Sequence, residues 1–363
     1  MPKRFVVSGG GTGGHIFPAI SIAQAIRKEI PDAEFYFVGA LGKMEMEKVP
    51  AAGFPILGLP IRGFNRSQPL KNFSLPWALL LSVWKANRFL ATWKPDAAIG
   101  VGGFASGALG IAAVQRRIPL FLQEQNAFAG KTNSWLGKFA KRIFVAHPNM
   151  DRFFPAHKIE LAGNPVRAVF ETEAPPKSDC LAHFGLSPNN PTLLITGGSL
   201  GAGAINAAVA KALPAWIEKG YQVIWQTGER QFELYQNFSA NGSVWISAFI
   251  PEMQIAYAAA DAVLSRAGAM AVAELLAVKK PAILVPLPSA AEDHQTYNAK
   301  SLSDQGAAIH LQESALGDQL NNAVEQLLCN NDAREIIREK LSVLHQAGSA
   351  QKIAQSILQH LFP

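Results

Sequence analysis

Short apolar runs alternate with longer stretches of helical period along almost the whole chain. The runs at 5–7, 35–38, 97–101, 120–123 and 143–146 read as strands of a first half. Those at 192–196, 222–226, 244–247, 262–265 and 282–285 read as strands of a second. Strands that are apolar throughout and separated by helices predict parallel sheets with crossover connections, because both faces of such a sheet are covered. The second half restarts the plan of the first: FVVSGGGTGGHIFPAISIAQAI and TLLITGGSLGAGAINAAVAKAL are each a strand, a glycine turn and an Ala/Ile-rich helix. Between the halves, Gly163-Asn164-Pro165 and the Pro-rich stretch 171–177 read as hinge and linker. The fold class expected is α/β, two Rossmann-like doubly wound domains, with ligands at the carboxyl ends of the strands in a cleft between them.

The chain has 363 residues, more than one hydrophobic core usually supports, and 49% apolar against 17% charged residues describe an ordinary globular protein. Cys180 and Cys329 lack any CxxC or Cys/His neighbourhood, so neither a disulfide framework nor a structural zinc is expected. A strand within the first few residues leaves no room for a signal peptide, which points to the cytosol. The net charge of +6 is unevenly held: residues 1–166 carry 20 Lys and Arg against 9 Asp and Glu, a net +11, leaving −5 for the rest. A basic half favours an anionic partner; no nucleic-acid signature is present, so a polyphosphate or an anionic membrane is the expectation.

Four constellations carry chemistry. In GGGTGGHIFPA, Gly11, Thr12, Gly13 and Gly14 form a turn that feeds a helix N-terminus, where a phosphate can be received. No acidic residue ends the second strand at Val38-Gly39-Ala40, which disfavours a nicotinamide dinucleotide. His15 is either a polar residue near a helix start or a general base. The second turn, Gly197-Gly198-Ser199-Leu200-Gly201, also fits the nucleophile elbow of serine hydrolases, with His294, His310, Asp261 and Asp293 as paper partners. The repeat opposes that, because Gly11 stands where Ser199 does. The third runs from Asp261 to Asn298, where Glu274 lies inside an apolar helix ahead of Glu292-Asp293-His294-Gln295, a set suited to hydroxyl-rich ligands. The fourth is the helix 75–93, whose Leu75, Leu79, Val83, Ala86, Leu90 and Trp93 share one face. Trp77, Leu80, Leu81 and Trp84 fall on the opposite face, ringed by Lys85 and Arg88, with Arg62, Arg66 and Lys71 close by in sequence. That helix is either buried on both sides or lays an interfacial patch on anionic lipid. No DxD motif or ligand-spaced histidines occur, so a site without a metal is expected.

Taken in order, GGGTGGHIFPA, GVGGFASG, QEQNAFAGKTN, GNPVR, GGSLGA, SRAGAMAVAE and DHQTYNA resemble the MurG family, the N-acetylglucosaminyltransferases of glycosyltransferase family 28. The resemblance spans nearly the full chain and implies the GT-B architecture. Residues 1–166 with a returning C-terminal helix, 346–363, would bind a lipid-linked acceptor and touch the membrane; residues 167–345 would bind UDP-GlcNAc. It implies His15 as the group activating the acceptor hydroxyl and Asn126 and Phe104 on the acceptor side. On the donor side it implies Glu274 at the ribose, the Ile250 backbone at uracil, Ser199 and Arg167 at the phosphates, and Gln295 and Thr296 at the GlcNAc hydroxyls. Phe104 stands where some members carry Tyr, and Gln123 where many carry His. The implied reaction converts lipid I to lipid II on the cytoplasmic face of the inner membrane, without a cofactor beyond the donor. It also implies contact with other cell-wall synthesis or division proteins. The rival within the fold is a UDP-GlcNAc 2-epimerase.

Overall fold

The computed structural model describes residues 2–63, 73–198 and 200–362. Ser199, Arg66 and Lys71 therefore lie outside the described residues. The chain divides into two compact units, Met1–Arg167 with Gln346–Pro363, and Ala168–His345.

The first unit holds β1 (Arg4–Gly9), α1 (Gly13–Glu29), β2 (Glu34–Ala40), α2 (Glu45–Ala51), β3 (Ile56–Leu59), α3 (Leu75–Trp93) and β4 (Ala97–Gly102). It continues through α4 (Phe104–Gln115), β5 (Leu120–Glu124), α5 (Lys131–Leu136), β6 (Arg142–Val145) and β7 (Ile159–Leu161). All its strands are parallel, in the order β3-β2-β1-β4-β5-β6-β7. Successive strand residues face opposite layers: Phe5 and Val7 join the core on one face of the sheet, and Val6 joins the core on the other. Those two layers are why these strands read as unbroken apolar runs. Strand order reverses between β1 and β4, the crevice where doubly wound sheets receive ligands.

The second unit holds α6 (Lys177–His183), β8 (Thr192–Thr196), α7 (Gly203–Glu218), β9 (Gln222–Gln226), α8 (Glu229–Tyr235), β10 (Val244–Ser247), α9 (Met253–Ala259) and β11 (Ala262–Ser265). Then follow α10 (Ala269–Val278), β12 (Ala282–Leu284), α11 (His294–Ser303), β13 (Ile309–His310), α12 (Leu316–Leu328) and α13 (Asn331–Leu344). Its sheet is also parallel, ordered β10-β9-β8-β11-β12-β13, with the reversal between β8 and β11.

The last helix, α14 (Ser349–Leu361), is shorter than the expected 346–363 and belongs to the first unit. Ile353, Ala354 and Ile357 enter the core beside α1, and Ser356 donates to Glu160 at 2.7 Å. The division falls after Arg167, one residue beyond the expected boundary. The hinge still belongs to the first unit because Gly163 N bonds Val145 O at 3.2 Å and Asn164 bonds both Gln123 and the Gln125 carbonyl.

Helix α3 spans the expected residues, with Ser82, Ala86 and Leu90 buried. Burial on both sides is ruled out: Trp77 is 74% exposed, Leu80 60%, Leu81 46% and Trp84 56%. Leu79, placed on the core face by its spacing, is itself exposed, since only the C-terminal half of α3 packs closely. The Arg88 guanidinium lies 5.7 Å from the Trp84 ring, and Lys85 is half-buried beside it in sequence. Among the described residues no helix is long and apolar enough to cross a membrane.

Candidate active site

The turn from β1 to α1 is shaped by close approach. Gly11 has φ +88°, a backbone region that glycine enters without cost. At Gly103, also φ +88°, an added Cβ would lie 2.3 Å from Gly10 O, so the turns after β1 and β4 touch backbone to backbone. His15 stands in the first turn of α1, half-buried, over Gly102. Its Nδ1 lies 3.1 Å from the Gly10 carbonyl and 3.5 Å from Thr12 Oγ1. A carbonyl oxygen only accepts, so Nδ1 carries the proton and Nε2 is the basic nitrogen of the neutral ring.

Glu45 was not singled out by sequence, yet it organises this turn. It is fully buried, and its two carboxylate oxygens accept from Gly11 N at 2.9 Å and Ala40 N at 3.0 Å. Gly10 and Gly39 leave it room, since a Cβ on either would fall within 2.6 Å of its side chain. An acidic group does reach the end of β2, then, but from the next helix, and it is spent on backbone amides. Such amide bonds to a carboxylate are charge-assisted and roughly twice as strong as neutral ones.

The acceptor-side expectation falls on the next strand end. Glu124 is buried and accepts from Asn126 N and Nδ2, both at 3.1 Å, from Gly130 N at 3.2 Å and from Asn133 Nδ2 at 2.9 Å. Asn126 is thus held in place by the glutamate two residues before it. Gln125 Nε2 donates to Val101 O at 2.6 Å, tying this loop to the end of β4. Phe104 opens α4 and is 51% exposed. The structure therefore brings Gly11, Thr12, Gly13, Gly14, His15, Phe104 and Asn126 to one carboxyl edge of the first sheet. Behind them His147 is buried, and its pKa is lowered to about 4 because desolvation outweighs its bond to the Gln125 backbone.

In the second unit the same edge collects the donor-side expectations. Gly198, φ +81°, closes a turn in which Gly201 N donates to Gly198 O at 2.9 Å. Gln226 donates to that same carbonyl at 2.9 Å and accepts from Ile250 N at 3.0 Å. The amide of Ile250 is thus occupied by a side chain that sequence did not single out. Glu274 lies on α10, half-buried, and accepts from Tyr257 OH at 3.2 Å. Gln295 Oε1 accepts from Leu287 N at 3.0 Å, and Thr296 Oγ1 donates to Asp293 at 2.6 Å. Asp261, a paper partner of a hydrolase triad, lies instead at the amino end of the sheet, bonded to Thr192 N at 2.9 Å and Lys177 at 2.6 Å. Arg167 is the last residue of the first unit and half-buried. It falls outside the unit that carries the other residues expected at the donor. Among the described residues no group of three or more His, Cys, Asp or Glu could hold a metal ion.

Residues 5–145 match the glycosyltransferase family 28 N-terminal domain, and residues 192–357 match the family's C-terminal domain. The chain belongs to glycosyltransferase family 28. It is similar, 43% identical over 98% of both chains, to the UDP-N-acetylglucosamine--N-acetylmuramyl-(pentapeptide) pyrophosphoryl-undecaprenol N-acetylglucosamine transferase of Parabacteroides distasonis. It is 44% identical to the Bacteroides thetaiotaomicron enzyme of the same name, covering 98% of this chain and 97% of that one. Among solved structures, Acinetobacter baumannii MurG superposes with a TM-score of 0.77 at 29% identity, over 99% of this chain and all of that one. A UDP-N-acetylglucosamine 2-epimerase also superposes, with a TM-score of 0.67 over 99% of this chain and 97% of that one, but at 13% identity it shares the fold alone.

Proposed function

We propose that the protein transfers N-acetylglucosamine from UDP-N-acetylglucosamine to the 4-hydroxyl of the N-acetylmuramyl residue of undecaprenyl-pyrophosphoryl-muramyl-pentapeptide, lipid I. The product is lipid II. The observation that carries this reading is likeness over essentially the whole chain to relatives named for that transfer, in both units at once. The first unit would present the acceptor hydroxyl beside His15. Nε2 takes its proton as the oxygen attacks the anomeric carbon and the bond to UDP breaks, which inverts the centre to a β-1,4 linkage. A positioned base of this kind is worth about 100- to 10,000-fold in rate.

The departing diphosphate gains charge. In this reading the Gly198 turn, the N-terminus of α7 and Arg167 stabilise it, and a helix dipole alone supplies about 0.3 to 2 kcal/mol, so several donors act together. Glu274 would pair with the ribose diol, Ile250 with uracil, and Gln295 and Thr296 with the sugar hydroxyls, while Asn126 and Phe104 border the acceptor. Trp77, Leu80, Leu81 and Trp84 on α3 would enter an anionic leaflet, with Lys85 and Arg88 at the head groups contributing about 1 kcal/mol each. This makes the protein peripheral on the cytoplasmic face of the inner membrane.

The test is direct. Labelled UDP-GlcNAc and a lipid I analogue are incubated with the protein, with and without chelator, and the lipid fraction is analysed. The expected product is a lipid-linked disaccharide, with and without chelator; free GlcNAc or ManNAc with no lipid-linked label would refute the proposal.

A further inference from the structure

Gln226 is the last residue of β9 and 2% exposed. In register it sits between Thr196 of β8 and Ser247 of β10, so its side chain reaches the loops that leave both neighbouring strands. One terminal amide serves two segments: Nε2 donates to Gly198 O and Oε1 accepts from Ile250 N. The partners fix which end is which, since a carbonyl accepts and a backbone amide donates.

The consequence for an anionic ligand is specific. A carbonyl oxygen is the one group in a glycine turn that repels a phosphate. The Gly198 carbonyl takes two donors, Gly201 N and Gln226 Nε2, and is thereby drawn into the protein. The same side chain fixes the peptide plane at Ile250, itself buried. Around it the turns interlock without slack: a Cβ at Gly201 would lie 2.0 Å from Thr227 O, and Thr227 N bonds Ser247 O at 3.0 Å. Beside these backbone contacts, Gln226 is a side chain that bonds both segments directly. Among side chains of this length, glutamine offers a donor and an acceptor on one end that is uncharged at every pH.

We propose that Gln226 is a positioning residue that couples the nucleobase-reading segment at Ile250 to the diphosphate-reading turn at Gly198, so that base and diphosphate are recognised as one unit. This rests on reading the second unit as the donor site. Gln226→Met removes both bonds at similar volume, and Gln226→Glu keeps the acceptor but, once its buried carboxyl ionises, sets a charged oxygen against the Gly198 carbonyl.

Titration calorimetry with uridine, UDP and UDP-GlcNAc on the full-length wild type and both variants reads the coupling, beside steady-state kinetics and thermal melts. The expected result is a loss of UDP affinity of tenfold or more in Gln226→Met, and in Gln226→Glu a loss that grows to that size as pH rises and the carboxyl ionises. The KM for UDP-GlcNAc should rise in step, with kcat at saturating donor and the acceptor KM within threefold of wild type. UDP affinity within twofold of wild type would overturn the coupling. So would a common fall in kcat and both KM values tracking a lowered melting temperature, which marks a purely structural role. If Gln226→Met does not fold, Gln226→Glu decides by the same split. A wild type that binds no UDP would instead overturn the donor reading.

Discussion

Glutamine in place of Glu45 changes one atom and tests the organisation of the first glycine turn. The carboxylate accepts from two buried amides, Gly11 N and Ala40 N, and is itself fully buried. A carboxamide accepts with only one of its ends, so one amide is left facing an NH2 group. A buried donor deprived of its acceptor costs about 1 to 3 kcal/mol. Gly11 is the more mobile partner, because Ala40 sits in the sheet, so the turn yields first. Displacing Gly10 and Gly11 moves the carbonyl that holds His15 Nδ1. If that cost falls on the reactive arrangement, kcat drops roughly 5- to 150-fold at about 1.4 kcal/mol per tenfold. Steady-state assays with a soluble lipid I analogue would measure it, beside the KM for UDP-GlcNAc, which should hold because the residues proposed for the donor, Arg167 apart, lie in the other unit. A folded Glu45→Gln protein with kcat within twofold of wild type would refute the argument.

Further outcomes follow from the same geometry. His15→Ala should lower turnover at least tenfold with UDP-GlcNAc affinity little changed; near-wild-type turnover would remove it as the base. Trp84→Glu should weaken binding to anionic vesicles in a sedimentation assay and leave activity on a short-chain acceptor intact. Glu274→Ala should raise the KM for UDP-GlcNAc tenfold or more while the acceptor KM stays, and an unchanged donor KM would remove the ribose contact. His147 has a folded pKa of about 4 against 6.5. The unfolded chain thus binds the extra proton first, and stability is lost as pH falls from 6.5 to 4, by about 3 kcal/mol. Urea melts of wild type and His147→Gln across that window should show a shallower pH slope for the variant.

Nine of the ten strands legible from apolar runs are central strands of a parallel sheet, covered on both faces; the tenth, β10, lies at an edge and was legible from Val244-Trp245-Ile246. β3, β7 and β13 were not: they are two to four residues long, partly exposed and at or near sheet edges, so they carry too little apolar signal. In the candidate site, the placement of His15 and the glycines at the end of β1 was legible because their spacing is local. Glu45 and Gln226 were not, since each acts on backbone that another strand delivers. One cue was available for Gln226 and Glu124: a polar residue closing a fully buried parallel strand has nowhere to send its side chain except the ligand edge.

The return of α14 to the first unit also sets an order of synthesis. The core beside α1 lacks Ile353, Ala354 and Ile357 until α14 is translated, whereas residues 168–345 are by then complete. On the ribosome the lobe encoded later can fold first. A nascent chain stalled before α14 would carry an open apolar groove along α1, a natural target for a chaperone.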